Sequence, residues 1–309
     1  MKHACVIGGT GFIGRHLVRQ LIEMGEKVTV IGRQRHPELE NSVTYLQNSN
    51  EDDFFTKAFK GIDYVIELAY STTPQTSFDN PTRDIFENLT FSVKIFEALI
   101  KSNVSKIICV SSGGTVYGRM VNSPISEDHA TDPISPYGIT KLAIEKYGNM
   151  YFQINALPVV IVRPGNAYGE GQLPFRGQGF ISTAIASALR GDKVRVYGKQ
   201  GTIRDYIYVQ DIVWGILAAL EKGKPGECYN IGTKVGRSNF EVIKMIDHLL
   251  DPFDYKIDCE VLESRPFDVV SNILDYSKLE KISGWRPTTD FDSGLKRTVT
   301  WLLNNQGIF

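Results

Sequence analysis

Six short runs of apolar, β-branched-rich residues punctuate the first half of the chain, at 4–7, 27–31, 43–46, 64–68, 106–110 and 159–162. Runs this short and this uniformly apolar predict strands buried on both faces. Stretches with helical spacing lie between them, at 13–24, 52–59, 81–102 and 136–155. Such alternation predicts βαβ units, hence a doubly wound, mostly parallel sheet covered by helices on both sides. Near Asn166 the texture changes: glycine and proline become frequent and the alternation stops. The expected organisation is an α/β domain over 1–165 and a smaller C-terminal α/β lobe over 166–309, with some later segments returning to the first domain. No repeat, low-complexity tract or long linker separates the two, so they should be fused.

The first strand runs directly into Gly8-Gly9-Thr10-Gly11-Phe12-Ile13-Gly14, which then opens a helix. Glycines at i, i+3 and i+6 permit a tight turn, close backbone approach to a pyrophosphate and close helix–strand packing. That context makes the domain a Rossmann-type dinucleotide site rather than a simple βα turn. The second strand ends at Gly32 and Arg33. A site for NAD usually places an acidic residue there for the ribose 2′-hydroxyl, whereas an arginine suits a 2′-phosphate. The expected cofactor is NAD or NADP, with Gly32-Arg33 leaning towards NADP. The bland reading of Arg33 and Arg35 is a pair of solvated loop residues.

Tyr137 and Lys141 stand four apart in Ser135-Pro136-Tyr137-Gly138-Ile139-Thr140-Lys141. Ser135 suits an N-cap and Pro136 the first helical position, so both side chains should share one face at a helix start. A phenol ionises near pH 10. A neighbouring ammonium and a helix N-terminus would lower that value and make Tyr137 a usable base. Alone, this spacing is usually just a solvated surface pair.

Composition narrows the class. The chain has 309 residues, 42% hydrophobic and 22% charged, with net charge −1, the balance of an ordinary globular protein without a nucleic-acid footprint. No apolar run has membrane-spanning length, and the apolar start is strand-sized, unlike a signal peptide. Cys5, Cys109, Cys228 and Cys259 are scattered, without metal or disulfide spacing. No nucleic-acid, membrane or metal partner is expected, and a reducing cytoplasm fits.

Several motifs follow in fixed order: Asn88, Ser111-Ser112-Gly113-Gly114-Thr115-Val116-Tyr117-Gly118, Tyr137 with Lys141, Arg163-Pro164-Gly165-Asn166, and the run from Arg204 to Asp211. Arg265-Pro266-Phe267-Asp268 and a tail through Asp275 to Lys278 and Gly284-Trp285-Arg286-Pro287 complete the set. With the glycine loop they span nearly the whole chain, which resembles the extended short-chain dehydrogenase/reductases, specifically the nucleotide-sugar epimerase/dehydratase group. The resemblance implies Tyr137 as the base and Lys141 as its electrostatic partner. It implies cofactor contacts from Gly8, Gly11, Phe12, Ile13, Gly14, Arg33, Leu68, Ala69, Asn88, Tyr137 and Lys141. Asn166, Arg204, Arg265 and Asp268 are implied to hold a nucleotide-diphosphate sugar, for which guanidinium forks are suited. It also implies a homodimer through a four-helix bundle, built from 81–102 and 136–155.

The serine-glycine loop bears on the reaction. The group's dehydratases carry Thr-Asp-Glu where this chain has Gly113, Gly114 and Thr115, and these residues cannot do that acid/base work. Epimerases of the group keep a hydroxyl where Gly113 stands, so either Ser112 or Thr115 is expected to relay the proton or Tyr137 to act without a helper, and the glycines are expected to leave room beside the nicotinamide. A 4-epimerase of a UDP- or deoxythymidine-diphosphate sugar is the expected activity. An NADPH-dependent reductase of a 4-keto-6-deoxy nucleotide sugar is the alternative, and a non-catalytic cofactor sensor a more distant one.

Overall fold

The computed structural model describes residues 1–39, 41–49, 51, 53–119, 123–265 and 268–309. Its large sheet contains β1 (His3–Ile7), β2 (Lys27–Gly32), β3 (Thr44–Gln47), β4 (Tyr64–Glu67), β5 (Lys106–Val110) and β6 (Val159–Pro164). Every pairing in it is parallel, and β4, β5 and β6 consist almost wholly of buried residues. Burial on both faces is why these runs are apolar without alternation.

The small lobe has two further sheets. β7 (Asn166–Tyr168) pairs with β9 (Ile203–Tyr208), while β8 (Val194–Tyr197) starts a separate two-stranded sheet. β10 (Cys228–Ile231) instead lies parallel beside β6, so the seven-stranded order is β3-β2-β1-β4-β5-β6-β10. β11 (Gly236–Ser238) and β13 (Ser271–Asn272) flank β9, and β12 (Cys259–Leu262) pairs with β8.

Helices cover both faces of the large sheet. α1 (Phe12–Glu23) lies on one side; α2 (Phe54–Ala58), α3 (Pro74–Asp79), α4 (Pro81–Asp84), α5 (Thr90–Ile100) and α6 (Pro136–Asn155) follow. α7 (Phe180–Arg190) belongs to the small lobe, and α8 (Val209–Lys222) packs with α1 on the large sheet through Ile212, Val213 and Ile216. α9 (Asn239–Leu250) and α11 (Phe291–Asn304) enclose the small lobe's core with α7, and α10 (Ser277–Ser283) adjoins α8.

One expected helix differs. The stretch 81–102 is not a single α-helix: a π-helical turn, Ile85–Leu89, separates α4 from α5. The extra residue in that turn carries Asn88 inward, where its side-chain nitrogen donates to the Asp84 carbonyl (2.9 Å). The expected helix at 52–59 begins on Asp52, outside the described residues, and α2 covers its later part.

Ile85, Phe86, Tyr147, Met150 and Ile154 stand exposed on these helices, Phe86 at 66% and Ile154 at 73%. Phe96 is instead fully buried in the core. The four cysteines are free, and no helix among the described residues is long and apolar enough to cross a membrane.

Candidate active site

A cleft of about 560 Å³ opens beyond the carboxyl ends of β1 and β4, where the strand order reverses. Gly8, Gly11, Phe12, Ile13, Gly14 and Leu68 line one side. Gly8 has φ +84°, and a Cβ there would lie 2.8 Å from the Ala69 amide nitrogen. A Cβ on Gly14 would run into the Gly8 carbonyl. The loop therefore approaches both the strand and its own helix more closely than side chains permit. Gly11 is the N-cap of α1 and offers no side-chain cap, and the first turn holds no acid, leaving its amides for an anion. These features fit a dinucleotide pyrophosphate.

Ala69 presents backbone to Gly8, while Arg33 is exposed and is not among the residues lining the cleft. A Cβ on Gly32 would meet Thr10 Oγ1 at 3.2 Å and Tyr45 Oη at 3.5 Å. Asn88 also stands back from the lining. Its Oδ1 accepts from the Ser71 amide (2.7 Å) and its Nδ2 donates to Thr72 Oγ1 (3.2 Å), so it shapes the loop after β4 from behind.

Tyr137 and Lys141 both line the cleft at the start of α6. Ser135 caps that helix, accepting from the Gly138 amide (3.1 Å), and Pro136 follows it. Lys141 is 6% exposed, and its ammonium donates to the Val110 carbonyl (2.8 Å). The protein groups around the Tyr137 phenol act in the direction opposite to the expected lowering. Burial pushes it above its ordinary value near 10, the Asp84 carboxylate pushes it further, and a hydrogen bond with the Ser112 hydroxyl pulls back only partly. Desolvation of the phenolate is the dominant cause.

The serine-glycine loop also differs from expectation at one position. A Cβ on Gly113 would collide with the Leu274 side chain and lie 2.9 Å from the Arg163 carbonyl, so Gly113 opens no space in the cleft. Gly114 does: a Cβ there would find only Asn166 Oδ1 at 3.4 Å and Ser112 Oγ at 3.9 Å. Ser112 touches Tyr137, and Thr115 Oγ1 and Ser111 Oγ are buried at the cleft without a hydrogen-bond partner. A hydroxyl in that state fits a site that a polar ligand completes.

On the small-lobe side, Asn166, Arg204, Arg265 and Asp268 line the same cleft. Arg204 donates to the carbonyls of Ile203 (2.9 Å) and Val269 (2.7 Å). Arg265 forks onto Asp268 (2.9 and 2.8 Å) and stacks over the Tyr197 ring, 4.1 Å from its centroid. Pro266 and Phe267 lie outside the described residues. Both arginines are thus held in place by protein groups on the small-lobe side of the cleft.

Sequence reasoning missed Tyr70, Glu67 and Asp84. Tyr70 follows Ala69 directly, and its ring centroid lies 4.1 Å from Lys141 Nζ and 4.7 Å from that of Tyr137. Glu67 is buried on β4 behind Lys141, accepting from Ser92 Oγ (2.5 Å). Asp84 is wholly buried and accepts from Thr72, Asn88 and Tyr70. A carboxylate four residues before Asn88 was visible, but only the π-turn turns both inward.

A family model described as the NAD dependent epimerase/dehydratase family matches residues 4–232. A putative UDP-glucose 4-epimerase of Methanocaldococcus jannaschii is 32% identical over 307 residues, covering 97% of this chain and 98% of that protein. The structure of a UDP-glucose 4-epimerase from Thermotoga maritima, solved with UDP-glucose, superposes with a TM-score of 0.91. It is 33% identical and covers 98% of this chain and 99% of the other. The Thermus thermophilus UDP-glucose 4-epimerase complex with NAD gives 0.90 at 28% identity, with 98% and 99% covered. The glycine cradle, the Tyr137–Lys141 helix and these matches agree: the chain belongs to the NAD dependent epimerase/dehydratase family.

Proposed function

We propose that this protein is a nucleotide-sugar 4-epimerase of the UDP-glucose 4-epimerase kind, working with a tightly held nicotinamide dinucleotide. The observation that carries the reading is the wall facing Tyr137. Ser112, Gly114 and Thr115 offer hydroxyls and space there but no carboxylate, so acid-assisted loss of water lacks its acid. The T. maritima relative binding UDP-glucose and the NAD-bound T. thermophilus relative support the substrate class and favour NAD.

The bound nicotinamide would supply a reversible hydride acceptor at the sugar carbon. Gly8, Gly11 and Gly14 would hold the pyrophosphate against the amides of α1. Tyr137 takes the proton of the C4 hydroxyl, directly or through Ser112, and returns it after the ring has turned over. Lys141 supplies the positive charge that favours the phenolate during that transfer. Thr115 Oγ1 offers a hydrogen bond to a sugar oxygen, and Gly114 leaves room for both faces of the ring. Arg204, Arg265, Asp268 and Asn166 hold the nucleotide diphosphate while the sugar turns. The exposed row containing Phe86 and Ile154 supports a homodimer through a four-helix bundle.

A second reading, an NADPH-dependent 4-keto-sugar reductase, draws on Gly32 and Arg33, where no acid meets the ribose. Incubation with UDP-galactose and no added cofactor separates the two. UDP-glucose should appear; strict dependence on added NADPH and a 4-keto sugar would overturn the epimerase.

A further inference from the structure

We propose that Tyr70 is the positioning residue of the catalytic pair, its ring carrying the Lys141 ammonium and bracing the Tyr137 phenol. The inference deepens the proposed function, since it takes Lys141 and Tyr137 as the reacting pair. Tyr70 lines the cleft at the carboxyl end of β4, one residue beyond Ala69. Lys141 Nζ lies 4.1 Å from its ring centroid, a cation–π distance. The Tyr137 ring meets it edge-on, with centroids 4.7 Å apart and planes at 62°. The Tyr70 hydroxyl in turn donates to Asp84 Oδ2 (3.4 Å). Asp84 is fixed by Thr72 and by Asn88 of the π-turn. The ring is therefore tethered at its far end and touches both members of the pair with its body.

The arrangement answers a physical problem. Lys141 is buried, and burial disfavours an ammonium. Among the described residues, its ammonium donates to the Val110 carbonyl. Four groups face it with opposing influence: Cys109 on β5, Glu67 on β4, Glu145 on its own helix and Asp84 on α4. Among the described residues none of these forms an ion pair with Lys141 within 4 Å, while the face of the Tyr70 ring lies 4.1 Å from the ammonium. A ring face keeps the cation charged without pinning it in a salt bridge. The ammonium thus stays available to the cleft.

The test uses the cofactor-free protein and does not depend on turnover. Lys141 is acetylated with limiting acetic anhydride across a pH series, and the peptide carrying it is counted by mass spectrometry. The midpoint reports ionisation of the amine. In Tyr70→Leu the midpoint should fall by about one pH unit, because the cation loses its ring. In Tyr70→Phe, which keeps the ring and loses only the Asp84 tether, it should stay nearer to wild type than to the leucine variant. An unchanged or raised midpoint in Tyr70→Leu, or equal shifts in both variants, would overturn the proposal. Tyr70→Met replaces the leucine variant if the latter does not fold. Because the readout is chemical, loss of the epimerase reading would leave this result standing on its own.

Discussion

Arg163 and Glu145 form a forked ion pair beneath α6: Nε lies 3.0 Å from Oε1 and Nη2 2.5 Å from Oε2. The two side chains are only 8% and 2% exposed. Arg163 also donates to Tyr117 Oη (2.9 Å), which donates to Asn230 Oδ1 (2.7 Å). The pair thereby ties α6 to β6, to the serine-glycine loop and to β10. Breaking a pair this deeply buried leaves one charge without compensation. Glu145→Ala should cost about 3–5 kcal/mol, read as a fall in urea midpoint, with the double variant Glu145→Leu, Arg163→Met recovering much of it. Equal loss in the single and double variants would show that the charge is not what matters.

Gly113 and Gly114 should respond oppositely to substitution. Gly113→Ser forces its Cβ into Leu274 and against the Arg163 carbonyl, costing about 1–3 kcal/mol by overpacking. It should not raise turnover, although it adds a hydroxyl beside Ser112. Gly114→Val should leave thermal stability nearly intact while reducing turnover, because the added bulk enters the cleft. Calorimetry and initial rates on the two variants check this.

The Tyr137 phenol gives a pH prediction with a definite sign. Burial and Asp84 raise its ionisation, so in the cofactor-free protein it stays neutral at and beyond its ordinary range near 10. A cation placed beside it favours the phenolate, so adding oxidised dinucleotide should move the ionisation downward. Tyrosinate absorbance recorded with and without NAD, wild type minus Tyr137→Phe, should show the phenolate appearing at lower pH when NAD is present. The same variant should lose about 10²–10⁴-fold in rate. No NAD-dependent difference would contradict Tyr137 as the base.

Phe86 and Ile154 offer a direct check on assembly. Both are large, apolar and mostly exposed on the helices flanking the sheet. Phe86→Glu should therefore preserve the folded protomer and shift sedimentation from dimer to monomer. A wild-type protein that sediments as a monomer at micromolar concentration would contradict the bundle.

Much of the architecture was legible because local signals agree with the fold. Apolar runs marked six of the seven strands of the large sheet, β10 excepted, and Ser135 with Pro136 marked the start of α6. The glycine loop announced its own backbone geometry, since Gly8 and Gly14 have no room for side chains. What escaped depends on contacts distant in sequence. Gly113 looked like open space until Leu274, from the far end of the chain, filled it. The π-turn at Ile85–Leu89 follows from bonds among Asp84, Asn88 and the loop after β4, not from helical periodicity. At Tyr137 the spacing showed a nearby lysine, while burial and Asp84, which both raise the phenol, come from tertiary packing. Tyr70 stood one residue past the expected cofactor contacts, and only tertiary packing brings it against Lys141.

The central claim is that hydrogen leaves and rejoins C4 of the same sugar. It is tested most directly with UDP-galactose deuterated at C4, incubated with the purified protein and no added cofactor. The UDP-glucose formed should carry the deuterium at C4, with none lost to solvent. Deuterium recovered at C6 would reveal a dehydration, and no conversion without added NADPH would reveal a reductase; either would contradict the account.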